Sequence, residues 1–447
     1  MPLLLPQGIG RTQTSPRFST DWRASGMSMA YLGTAMKVDV VVVGGGPAGM
    51  MAAITAAECG AAVCLLEPNE RLGKKLNITG KGRCNLTNSC DAEQFLQSVP
   101  RNGKFLYSAY YQFDSSAVMA FFTELGVPLK TERGNRVFPV SDRAFDVSGA
   151  LEKRLRRLDV RLVRDRAETL VLQDGRLAGV KGSQAEYAAG QVVIATGGVS
   201  YPLTGSTGDG YRLAQLVGHT IVEPRGSLVP LCTKGNLCAQ MQGLSLRNVS
   251  LRVFEGNRRV YTDFGEMLFT HFGVSGPVVL SASAHMRQFG KKPYRMEIDL
   301  KPALDEQSLD KRLVSDFTKY QNSDLINGLG DLLPKKMIAP FVSLTGINPH
   351  QKIHDLTKGQ RRSILTVMKS LPLEIEGPRP VDEAIVTSGG VSVKEVNPST
   401  MESKLLEGLY FAGEVLDVDA YTGGFNLQIA WSTGRLAGMS AAGHAKG

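Results

Sequence analysis

The segment Val38–Glu67, VDVVVVGGGPAGMMAAITAAECGAAVCLLE, places a strand, a glycine loop, a helix and a second strand in unbroken order, which commits the start of the fold to the nucleotide-binding half of a parallel α/β sheet. Val38 to Val43 is apolar apart from Asp39 and rich in β-branched residues, the pattern of a strand buried on both faces. Gly44, Gly46 and Gly49 then supply G-x-G-x-x-G, with Pro47 and Ala48 opening the helix. The first glycine allows the turn, the second lets backbone approach a pyrophosphate, and the third lets helix and strand pack closely. The unpaired N–H groups of the helix start would face that phosphate. The helix is expected over Met50–Cys59 and the second strand over Ala62–Leu66, ending on Glu67. Glu67 lies 18 residues past Gly49, where an acid accepts hydrogen bonds from a ribose diol.

Two later segments decide between dinucleotides. Residues 411–428, FAGEVLDVDAYTGGFNLQ, read as a strand running into Gly413-Glu414, a loop, and Gly423-Gly424 opening a last helix, Phe425–Gly438. A second helix start late in the chain is suited to close over a flavin, with Gly424, Asn426 and Leu427 at the ring, and this points to FAD rather than NAD. Gln191–Gly198, QVVIATGG, adds a strand whose Thr196-Gly197 turn would meet the same nucleotide. Tyr201 and Tyr421 are proton-donor candidates. His271 reads more readily as a structural histidine than as an acid or base.

The stretches Gly73–Asn88 (GKKLNITGKGRCNLTN), Ala195–Tyr211, Leu268–Ser283 (LFTHFGVSGPVVLSAS) and Gly408–Gly434 resemble the bacterial HI-type conserved flavoprotein family. Its members are described as aminoacetone-oxidase-like or BaiN-like NAD(P)/FAD-dependent oxidoreductases, distantly related to fumarate reductase flavoproteins. The resemblance implies an α/β fold: a Rossmann-like FAD-binding domain in two chain segments with an inserted β-rich plus helical domain. The expected segments are 37–203 and 382–447 for the FAD domain and 204–381 for the insert, β-rich over 224–300 and helical over 304–370. It also implies that the loop carrying Lys75, Gly80, Arg83 and Asn85 approaches the flavin. The alternative is that Arg83 only ties the loop down and Asn85 only shapes a turn.

Composition narrows the class. A chain of 447 residues with 43% hydrophobic and 21% charged residues is long enough for two globular domains, and its apolar runs are too short for a membrane span. Six cysteines without C-x-x-C fit reduced thiols in a cytoplasmic protein and exclude a disulfide-reductase dithiol. Residues 1–36, with Arg11, Arg17 and Arg23 against Asp21, read as a disordered extension. No Ser-His-Asp, Cys-His or metal-ligand spacing is legible, so the flavin itself would carry the chemistry. The expected activity is hydride transfer on a small molecule, either amine oxidation or C=C reduction with NADH or NADPH as donor. A flavin-dependent tRNA-modifying protein is the second reading, raised by the net charge of +9. No aromatic residues interleave with the basic cluster Lys153–Arg157, which argues against a nucleic-acid stripe.

Overall fold

The computed structural model describes residues 36–445. The expected extension 1–36 lies outside the described residues, except for Met36. That residue is strand: Met36–Lys37 pairs in parallel with Glu186–Ala188.

The nucleotide-binding pattern forms the centre of a five-stranded parallel sheet in the order Leu409–Phe411, Gln191–Ile194, Val40–Val43, Val63–Leu66, Arg161–Val163. Val41 faces Val192 on one side and Cys64 on the other, so the central strand is covered along both edges as well as both faces. Its four valines are at most 4% exposed, each contributing ~1.5–3 kcal/mol of burial. The motif helix, Pro47–Glu58, is buried from Ala48 to Ala56 and so lacks a polar face. It lies between the sheet and the C-terminal helix, Phe425–Ala445, which runs well beyond the expected Gly438.

Contact between these two helices is set by small residues. A Cβ on Gly434 would overlap the Ala48 carbonyl, and one on Gly438 the Ala52 carbonyl, so two glycines one turn apart meet two alanines one turn apart. Deeper along the interface Trp431 is fully buried, donates from Nε1 to the Leu86 carbonyl at 2.9 Å and packs edge-on against Phe122.

Arg161–Val163 corrects one local expectation. The sequence suggests a three-stranded meander over 161–181, but this strand joins the edge of the parallel sheet beside Val63–Leu66. Ala167–Gln173 and Arg176–Gly182 form their hairpin in a separate four-stranded sheet.

Beyond the Thr196-Gly197 turn, the helix Asp209–Leu216 puts Tyr211, Leu213 and Ala214 into the core of the parallel-sheet domain, although residue 204 is where the insert was expected to begin. A second core starts at Leu231 and runs to Ile375. Its strands close a six-stranded barrel, with Leu231–Thr233 pairing to Leu371–Pro378 to complete the ring. Leu246, Val249, Leu251 and Val253 of Ser245–Glu255 point inward. The helices Glu306–Lys319, Lys335–Thr345 and Lys358–Lys369 share this core through Leu309, Phe341 and Ile364. Barrel and parallel sheet are joined by an antiparallel pair, Ile221–Ser227 with Val386–Val391, so the chain leaves and returns through adjacent strands. Among the described residues no helix is long and apolar enough to cross a membrane.

Candidate functional site

A cleft of about 1710 Å³, its open mouth included, runs across the carboxyl ends of the parallel strands, the usual place for a ligand on an open α/β sheet. Gly44, Gly46, Pro47 and Ala48 line it together with Glu67, Lys75, Gly80, Asn85, Thr196, Gly197, Glu414, Gly424, Asn426 and Leu427. Three pieces of chain far apart in sequence therefore meet on one cavity.

At its first end the glycines divide their roles as the spacing suggests. Gly44, at φ +107°, has no room for a side chain: a Cβ would lie 2.6 Å from the Ala195 carbonyl oxygen. Gly49 stands off the cavity wall, its Cα pressed on the Gly44 carbonyl. Gly46 differs from both. Its backbone is extended, at φ −78° and ψ −177°, and no protein atom lies within 4 Å of the Cβ it lacks. It caps a helix that has no side-chain cap and no acid in its first turn, leaving backbone N–H groups for an anion. Glu67 is held over this loop. It accepts from the Gly45 N–H at 2.8 Å and from the backbone and side chain of Asn69 at 2.9 and 2.7 Å. Four lone-pair sites on a carboxylate leave capacity for one further donor.

The middle of the cleft is bound together by Lys75. Its ammonium lies 2.7 Å from both Ser200 Oγ and Glu414 Oε2, and Glu414 Oε1 accepts from the Thr387 N–H at 2.7 Å. Thr387 Oγ1 in turn accepts from the Val199 N–H at 2.8 Å. This network joins the GRCNLTN side, the ATGG turn, the strand returning from the barrel and the last segment. Ser200 and Thr387 carried no sequence signal, because their partners lie 125 to 214 positions away or across the barrel insert.

At the other end Gly423 and Gly424, with φ of +125° and +101°, turn the chain into the C-terminal helix. Asn85, with its amide oxygen toward this turn, accepts from the Gly424 N–H at 3.0 Å and donates to the Thr87 and Val137 carbonyls at 3.2 and 3.3 Å. Leu228, Ile385, Val386 and Val418 give the cleft an apolar wall here, and Tyr421 lines it as well.

Three expectations are corrected, those for Arg83, Gly413 and Tyr201. Arg83 does not reach the cavity. Its guanidinium pairs with Glu132 at 2.5 Å and Asp142 at 2.7 Å and stacks over Phe138, so opposite charges supplied by the Leu129–Pro139 hairpin and the turn after it hold it outward. Gly413 is not a cavity residue either; its N–H donates to Thr433 Oγ1 and its Cα lies against Ala48, which makes it a packing glycine. The Asn426 amide lines the cleft but is spent on its own loop. Its oxygen accepts from the Ala420 N–H at 2.9 Å and its nitrogen donates to the Ala420 and Tyr421 carbonyls. Tyr201 is exposed and outside the cleft, and so is His271, edge-on to Phe272. Since the Arg83 ion pairs are open to solvent, Arg83→Ala is expected to shift the melting temperature by a few degrees at most and to leave the bound-flavin absorbance per chain unchanged.

Residues 38–440 match the family model described as HI0933-like protein Rossmann domain. The chain belongs to this family. The 3-dehydro-bile acid delta(4,6)-reductase of Clostridium scindens is 34% identical over 407 residues, 90% of this chain and 98% of the relative. The ribosomal RNA dihydrouridine synthase of Haemophilus influenzae is 29% identical over 414 residues, 90% and 97% respectively. Among solved structures, the open conformation of a flavocytochrome c3 fumarate reductase aligns with a TM-score of 0.46 at 18% identity, covering 92% of this chain and 79% of that one. The HI0933-like chain is accordingly an FAD-dependent oxidoreductase, with the Rossmann-type domain and the additional β-rich and helical parts that its sequence suggests.

Proposed function

We propose that the cleft holds FAD end to end and that the enzyme reduces a C=C bond conjugated to a carbonyl in a small, largely apolar molecule, with NADH or NADPH as electron donor. The open position at Gly46 fits a pyrophosphate, the capped Glu67 fits a ribose, and the glycine turn at 423–424 fits the ring. Thr196, Gly197, Lys75, Gly80, Asn85 and Glu414 would line the stretch between them. Bound there, the flavin supplies hydride exchange at N5.

One observation carries the choice of reaction: the ring end of the cleft is walled by Leu228, Ile385, Val386 and Val418. An apolar wall suits an uncharged enone better than a cationic amine. Of the buried carboxylates near that end, Asp419 is engaged by Ser227 and Ser388, and Asp417 is engaged through Oδ2 by Arg101 and Asn102, while its Oδ1 is buried without a partner among the described residues. The start of the C-terminal helix would place its positive dipole end beside the ring, where charge accumulates on reduction. The names of both curated relatives denote saturation of a double bond next to a carbonyl, a Δ4,6 steroid in one case and a uridine in the other.

Anaerobic FAD-loaded enzyme is expected to be reduced by NADH or NADPH and then reoxidised stoichiometrically by 3-oxochola-4,6-dienoate, as followed by flavin absorbance. Reduction by a primary amine with no response to the dienone would overturn the assignment. The second reading, reduction of uridine within RNA, is favoured by the dihydrouridine synthase relative of Haemophilus influenzae. It predicts reoxidation by a uridine-containing ribosomal RNA fragment that weakens steeply with salt.

A further inference from the structure

We propose that Tyr421 donates the substrate's proton and that His285, reaching it from the inserted barrel, positions its hydroxyl and restores the proton afterwards. The inference rests on the C=C reduction reading and names the acid that reading needs.

The geometry is assembled from three parts of the chain. Tyr421 lines the cleft two residues before Gly423, at the end assigned to the flavin ring. Its backbone is pinned on both sides, the N–H donating to the Ser98 carbonyl at 3.0 Å and the carbonyl accepting from Asn426 Nδ2 at 3.2 Å. Its Oη lies 2.6 Å from His285 Nε2. His285 follows the short barrel helix Pro277–Ser283, and its backbone N–H donates to the Ala282 carbonyl at 3.0 Å. Its ring stacks on Tyr261, with centroids 4.7 Å apart and planes 27° from parallel. Tyr261 is itself fixed, since its hydroxyl donates to Asp263 Oδ2 at 2.8 Å. The imidazole thus has one fixed face and one fixed edge, the arrangement that selects a single orientation for a proton-transferring histidine.

Charge around the pair keeps the acid loaded. Burial, and then the carboxylates of Asp263 and Asp419, push the Tyr421 hydroxyl above its ordinary range, so it stays protonated at neutral pH. Burial, and then the Arg287 guanidinium, hold His285 below its usual range against the pull of Asp419. A neutral imidazole carrying its hydrogen on Nε2 would donate to Tyr421 Oη and leave the phenolic hydrogen free to face the cleft.

With FAD held in the cleft, the reduced cofactor would supply a hydride to the β-carbon, and the π pair would move onto the carbonyl oxygen as an enolate. The enolate takes the Tyr421 proton at its α-carbon: a second C–H bond forms and the phenolic O–H breaks. His285 then gives Nε2–H to the phenolate as Nδ1 takes a proton from water, and exchange with solvent returns the hydrogen from Nδ1 to Nε2 before the next turnover. Two electrons come from the flavin and one proton, in net, from solvent.

The test uses the FAD-loaded enzyme reduced with stoichiometric dithionite and mixed anaerobically with 3-oxochola-4,6-dienoate. Tyr421→Phe should bind FAD and be reoxidised ~10²–10⁴-fold more slowly than wild type, the usual contribution of a positioned acid. His285→Gln, which keeps a donor but cannot titrate, should show a smaller loss and a flattened pH profile. A readout independent of turnover is nitrogen-15 NMR of histidine-labelled oxidised enzyme. It should find His285 protonated on Nε2 at neutral pH, with its titration displaced in Tyr421→Phe. Wild-type reoxidation rates in Tyr421→Phe, or a His285 ring protonated on Nδ1 alone, would overturn the pair while leaving the ene-reduction reading intact. A wild-type enzyme that the dienone fails to reoxidise would instead remove the reading itself, and the proton donor with it.

Discussion

Gly46→Val is expected to give a folded protein without bound FAD. The residue adopts an extended backbone that valine tolerates, and no protein atom lies within 4 Å of the added Cβ, so the native chain has no reason to move. The new side chain instead projects where the motif helix directs its unpaired N–H groups. Displacing a pyrophosphate from that point should weaken FAD by ~10³-fold or more, equivalent to ~4 kcal/mol or more. The purified variant should therefore be colourless, with circular dichroism and a melting temperature matching those of the wild-type apoprotein. A yellow Gly46→Val protein with one flavin per chain would show that the cleft does not use this loop for phosphate.

Gly438→Val should do the reverse, destabilising the fold first and losing FAD only as a consequence. Here the added side chain meets backbone: the Cβ overlaps the Ala52 carbonyl on the motif helix, and neither helix can give without lifting off the sheet. Overpacking of a core costs ~1–3 kcal/mol, and a clash against main chain rather than a flexible side chain belongs at the upper end of that range or beyond. The lower melting temperature should be present in the apoprotein, and protease should attack the C-terminal helix sooner. Gly443→Val, five positions on, has no neighbour within 4 Å of its Cβ and serves as the control. Equal stability of the two variants would mean that the helices do not cross at Gly434 and Gly438.

How much of this was legible from the chain depended on whether a residue's partner was local. Gly44, Gly46 and Glu67 were readable as cleft residues and Gly49 as a packing glycine because all four belong to one strand, loop, helix and strand within about 30 residues. Thr196, Glu414 and Gly424 were readable as further pieces of the same cleft, since each ends an apolar strand or opens a helix. Arg83 was misplaced because the loop around it does approach the cleft, whereas its own charge is claimed by Glu132 and Asp142, 49 and 59 positions away. Asn426 lines the cleft, and its amide satisfies the carbonyls and N–H of 420 and 421, which a tight loop leaves unpaired. The edge strand Arg161–Val163 has no alternation long enough to show which sheet would accept it.

The sequence by itself determined the class of the protein, the cofactor and the two-segment plan, because a buried parallel strand, a glycine loop and a helix start are each specified by the residues that compose them. The tertiary structure alone decided which side chains face the cavity and which are spent on its walls. It brought Lys75, Ser200, Thr387 and Glu414 into one network, and His285 of the barrel onto Tyr421. Such pairings join residues 27 to 339 positions apart, one of them across the whole insert. No local pattern specifies them, since hydrogen bonds and ion pairs depend on where two surfaces finally meet rather than on the identity of either residue.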